Sequence, residues 1–105
     1  MDIYYNIIQK IKIHFPTTWK EKFLQGGCFW LADYIHKNIP ESIIMVNWQA
    51  MHAAIQINQK LYDITGNISK NNFHYASPQD INYMKKHFIP NFDTTKLKEF
   101  IEKST

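Results

Sequence analysis

The sequence predicts an α+β domain: a small antiparallel sheet of about three strands with a cysteine-bearing helix packed on it, in the order ααβββαα. Three observations carry this. Isoleucines recur at helical spacing near the start, the centre is rich in β-formers that alternate at period two, and Ser77-Pro78-Gln79-Asp80 reopens helix after it. With 105 residues, 45% hydrophobic and 15% aromatic, the whole chain fits one domain, 1–105, with one core.

Asp2 is a cap for a first helix over residues 3–14, whose Ile3, Ile7, Ile8 and Ile11 form one apolar face. Phe15-Pro16 ends it, because proline disfavours helix in the residue before it. Residues 16–27 read as a connector held to the core by Trp19, Phe23 and Leu24. A second helix starts at Cys28 and runs to about Lys37, before Pro40. Ser42–Trp48 reads as a strand, and His52–Ile57 as a second in which Ala53, Ile55 and Ile57 alternate with His52, Ala54 and Gln56. Leu61–Thr65 is the third, after a tight turn at Asn58-Gln59, and Gly66-Asn67 closes the unit. Residues 68–76 are polar and irregular. A capping serine, a proline at the first helical position and an acid at the third start a helix that ends near Phe88, before Pro90. Asp93 or Thr94 caps a last helix to about Glu102.

Composition excludes several function classes. All twelve basic side chains are lysines spread along the chain, and the net charge is only +3. Without arginine, the commonest base-reading and phosphate-forking side chain is missing, so no nucleic-acid partner is expected. The first fifteen residues mix Asp2, Lys10, Lys12 and His14 with apolar residues, unlike a signal peptide or a membrane span. One cysteine makes no internal disulfide, so a cytoplasmic setting is expected, the host's if the chain is viral. His14, His36, His74 and His87 lack zinc-site spacing; neither metal nor cofactor is expected.

The chemistry concentrates at Gln25-Gly26-Gly27-Cys28-Phe29-Trp30. A thiol at a helix start meets unpaired backbone N–H groups and the positive end of the helix dipole, which favour a negative sulfur. Two preceding glycines permit a sharp turn and the close approach of a substrate backbone. Downstream, a two-residue turn at Asn58-Gln59 sets Ala54 opposite Asp63 and His52 opposite Thr65. His52 and Asp63 then share a sheet face as diagonal neighbours, roughly 7 Å apart at the backbone. A three-residue loop would put them on opposite faces. With the cysteine helix on that face, Cys28, His52 and Asp63 form a triad: nucleophile, proton shuttle, and the carboxylate that sets the imidazole tautomer. The Cys28 N–H would donate to an oxyanion. The bland readings are a small apolar core cysteine, a satisfied histidine, and an Asp63 that accepts N–H groups of the Thr65-Gly66 turn.

These residues resemble the papain-like superfamily, in particular NlpC-type peptidases and transglutaminase-like domains, with their order of cysteine helix, histidine strand and polar residue on the next strand. The chain is also similar to small uncharacterised phage and bacterial proteins with Gly-x-Cys-aromatic-aromatic-x-Ala, a histidine strand and Leu-Tyr-Asp-x-x-Gly. Here these are Gly26, Cys28, Phe29, Trp30, Ala32, His52, Leu61, Tyr62, Asp63 and Gly66, and the likeness covers residues 24–66. It implies a small cysteine hydrolase or acyltransferase acting on an amide or thioester of a protein or peptide, as a monomer or small homo-oligomer. Gln25, Gly27, Trp30 and Trp48 complete the set as oxyanion or pocket residues. The chain is short for a peptidase, and Gln25 stands closer to Cys28 than the papain oxyanion glutamine stands to its cysteine.

Two other readings stand beside this one. The small size suits a non-catalytic binding module that grips a host protein. Gly26-Gly27-Cys28-Phe29-Trp30 is also similar to the motif of peptide methionine sulfoxide reductase A. That motif continues with glycine where Leu31 stands, and its glutamate follows a His-Ala pair where Ala54 follows His52-Ala53.

Overall fold

The computed structural model describes residues 2–103. Helix α1, Asp2–His14, buries Tyr4, Ile7, Ile8 and Ile11, and leaves Ile3 exposed. After it comes α2, Trp19–Leu24, inside the stretch read as a connector. Six residues are too few to show a helical period; the helix forms because Phe23 is fully buried among Phe15, Trp30 and Phe92. Cys28–Asn38 is α3, whose buried side chains are Cys28, Phe29, Leu31, Ala32, Tyr34 and Ile35.

The sheet has five strands, not three: β1 Ile43–Asn47, β2 His52–Ile57, β3 Lys60–Asp63, β4 Gly66–Ile68 and β5 His74–Tyr75. The spatial order is β4-β3-β2-β1-β5. The two additional strands are the edges, only three and two residues long. Gly66-Asn67 therefore opens a strand rather than closing the unit, with Asp63 paired to Gly66 across Ile64-Thr65. Segments that short carry no alternation; they are strands because a neighbour offers a free ladder. Where the sequence is explicit, the register follows it. Ile55 pairs with Tyr62 and Ile57 with Lys60 across Asn58-Gln59. Both turn residues have positive φ, 50° and 69°, as a type I′ turn requires.

Helix α4, Pro78–His87, begins with the expected capping box: Asp80 N–H donates to Ser77 Oγ at 3.0 Å, and Ser77 N–H donates to Asp80 Oδ2 at 2.9 Å. Helix α5, Thr94–Lys103, buries Leu97 and Ile101.

All five helices pack on one face of the sheet. Ala53, Ile55 and Ile57 join Ile7, Phe23, Ile35, Met84 and Leu97 in a single core. The opposite face carries a small cluster of Met45, Ala54 and Leu61, covered only by Ile68 and Phe73. This corrects the expected placement of the cysteine helix. Helix α3 lies on the Ile55–Ile57 face of β2, not the Ala54 face, because that row offers more apolar surface to remove from water.

Candidate active site

Cys28 opens α3 at the end of the sheet, beside the first residues of β2, where the Ala53 N–H donates to its sulfur at 3.5 Å. The glycines that place it serve the chain's own packing. At Gly26, where φ is +92°, an added Cβ would meet the Ile89 carbonyl oxygen at 2.5 Å; at Gly27 it would meet the Lys22 carbonyl oxygen at 2.4 Å and the Phe92 ring at 2.9 Å. The backbone that approaches this turn is thus the chain's own, the α4–α5 loop at Gly26 and α2 at Gly27.

His52 Nε2 and Asp63 Oδ2 are 2.8 Å apart. The other carboxylate oxygen, Oδ1, accepts the Thr65 N–H at 2.7 Å and the Thr65 hydroxyl. The turn reading and the histidine reading of Asp63 therefore hold together, one for each oxygen. From α1, the buried Tyr4 hydroxyl donates to the Asp63 carbonyl oxygen. Tyr4 and Thr65 are the supporting residues that the sequence analysis missed as site members. For Thr65 the signal was the Asp-x-Thr turn; Tyr4 lies too far away in sequence to leave one.

The electrostatics follow from these contacts. Burial works against a charged His52, but the hydrogen bond to Asp63 and the negative charge there, with Cys28 acting in the same direction, outweigh it and raise its pKa from 6.5 to about 9. Burial likewise works against ionised Asp63, and the bonds from His52 and Thr65 outweigh that too, holding its pKa below the ordinary 3.8. Burial and then the Asp63 charge push Tyr4 above the usual phenol range, so it remains a donor. With Nε2 committed to Asp63, Nδ1 is the ring nitrogen left for another partner.

Cys28 is 2% exposed. A cavity of about 10 Å³ beside it, bordered by Ala53, Tyr62 and Asp63, has room for about one water. His52 and Asp63 also border an open groove of about 560 Å³ that runs from Leu24 at the end of α2 to Ile68 and Phe73.

The remaining candidates lie elsewhere. Gln25 is an exposed C-cap whose N–H donates to the Glu21 carbonyl. Gly27 caps α3 without facing either cavity. Trp30 stacks on Tyr34, with ring centres 5.1 Å apart, and walls a separate polar pocket with Asp33, Lys98 and Glu102. Trp48 packs edge-on against Tyr83 and Phe88. Among the described residues no group of three or more His, Cys, Asp or Glu side chains gathers to hold a metal ion. No described helix is long and apolar enough to cross a membrane.

A family model described as phage YunG-like protein matches residues 7–102. The chain belongs to the phage YunG-like family. No curated protein and no solved structure matches it. The match to this family spans α2, Cys28, His52, Asp63 and Thr65 and reaches into α5, and of the site residues it leaves out Tyr4.

Proposed function

We propose that this chain is a small cysteine hydrolase or acyltransferase that acts, in the cytoplasm, on an amide or thioester of a protein or peptide. The observation that carries this reading is the 2.8 Å His52–Asp63 contact at the start of β2, beside the Ala53 N–H that donates to the Cys28 sulfur. The likeness of residues 24–66 to papain-like domains points the same way. In the first step the proton shared between Cys28 and His52 rests on His52, as its raised pKa favours, and the Cys28 sulfur bonds to the substrate carbonyl carbon. The C–N or C–S bond breaks, and the His52 proton leaves with the departing nitrogen or sulfur. Water, or an amine in a transferase, then attacks the acyl-enzyme, gives a proton to His52 and releases the acyl group; that proton returns to sulfur. Asp63 holds the imidazole in one orientation throughout.

The test is iodoacetamide alkylation of Cys28 at neutral pH, together with intact-mass detection of an acyl-enzyme formed from a simple thioester. His52→Ala is expected to slow both by about tenfold or more, the usual worth of a positioned base. Unchanged rates in that variant would end the triad reading.

One observation favours a second reading, a protein-binding module on the same fold: Cys28 is 2% exposed, and a substrate reaches it only if neighbouring side chains move. Full biological effect in Cys28→Ala would establish that reading over catalysis.

A further inference from the structure

We infer that the open groove beside His52 and Asp63 is the acyl-side substrate site, and that it selects an uncharged, apolar peptide side chain. The inference rests on the acyl-transfer reading above and adds the substrate class.

Four features of the groove carry it. Its volume, about 560 Å³, lies within the roughly 300–1,000 Å³ of small-ligand sites. It begins at His52 and Asp63, and Asp63 also borders the small cavity that Cys28 lines, so a carbonyl carbon presented at that end lies on the Cys28 side of the groove occupant. Its apolar walls are Leu24 from the end of α2, Ile68 from β4, and Phe73 from the segment that crosses the helix-free face. Asn47, Ser69 and Asn71 supply neutral hydrogen-bonding groups of the kind that fix a peptide backbone.

Charge decides the class. Of the residues that line the groove only His52 and Asp63 are ionisable, and each is the other's partner. A glutamate or lysine side chain placed there would leave water without an opposite charge to meet it. Such a group stays in solvent and carries its peptide with it. A leucine- or phenylalanine-sized side chain instead gains by covering Leu24, Ile68 and Phe73.

The experiment uses the full chain and benzyl thioesters of N-acetyl-leucine, N-acetyl-glutamate and N-acetyl-lysine. The readout is the rate at which each adds an acyl mass to Cys28. The leucyl ester is expected to react about tenfold or more faster than either charged one. Ser69→Lys, at an exposed position on the groove rim, is expected to raise the glutamyl-to-leucyl ratio about tenfold. Equal rates for the three esters, or a ratio that Ser69→Lys does not change, would overturn the selectivity. If no ester acylates Cys28, the catalytic reading fails, and backbone amide shift changes then decide the groove by themselves. N-acetyl-leucine methylamide that shifts the amides of Leu24, Ile68 and Phe73, where its glutamyl counterpart does not, supports the site. The reverse pattern, or no shift with either, removes it.

Discussion

Oδ1 of Asp63 is held twice by Thr65, so only Oδ2 remains for His52, and the imidazole has one orientation available to it. That arrangement makes Thr65 more informative than its exposed position suggests. Thr65→Val keeps the backbone bond but removes the hydroxyl, leaving Oδ1 half-held and the carboxylate free to rotate. The His52 pKa, followed by the NMR shift of its ring Cε1–H, is expected to fall by about half a unit or more from near 9, while Thr65→Ser restores it. A valine variant that titrates like the parent would show that Tyr4 and the backbone suffice. This cluster was half legible in the sequence. His52 and Asp63 could be paired on paper because the Asn58-Gln59 turn fixes parity, and parity in a strand is a property of spacing alone. The Tyr4 contact could not, because it joins residues 59 apart and depends on how α1 docks on the hairpin.

Elements were readable in proportion to their length. α1, α3 and α4 announce themselves through apolar spacing and caps, whereas α2, β4 and β5 exist only because tertiary partners complete them. The Gly26-Gly27 turn between α2 and α3 shows how tight that completion is. Two substitutions separate steric contact from backbone conformation. Gly27→Ala keeps an ordinary helical φ of −87° but drives its methyl into the Lys22 carbonyl and the Phe92 ring. It is expected to cost about 3 kcal/mol in urea unfolding, the upper range for overpacking. Gly66→Ala meets no atom within 4 Å and has only the strain of φ +111° to bear, which is expected to cost about 1–2 kcal/mol. Equal losses at the two positions would mean that the Lys22 carbonyl and the Phe92 ring yield to the Gly27 methyl and that the approach there is not tight.

Across the whole molecule, the helices crowd one face of the sheet and leave the other to a small cluster under Ile68 and Phe73, so the site sits between the main core and an open groove. The stability of such a border depends on pH, and the sign follows from the two shifts. His52 has a raised pKa in the folded state, so its contribution is complete below pH 6.5 and is lost as pH rises through about 9. Asp63 has a lowered one, so its contribution is present above pH 3.8 and is lost as pH falls through its folded value. Thermal midpoints are therefore expected to decline between pH 6.5 and 9, and His52→Gln to flatten that decline; a slope that survives in the variant would assign it to another group. The close packing of Gly26 and Gly27 against Ile89 and Phe92 also has a temporal meaning. The turn that aims the thiol is translated early, and the residues that seat it emerge from the ribosome near the end of α4 and before α5. On a nascent chain α1, α3 and the central hairpin are all translated before the loop that packs on this turn. The turn that holds Cys28 is thus completed only late in synthesis, and a chain cut after Phe88 would carry Cys28, His52 and Asp63 without the loop that packs on Gly26 and Gly27.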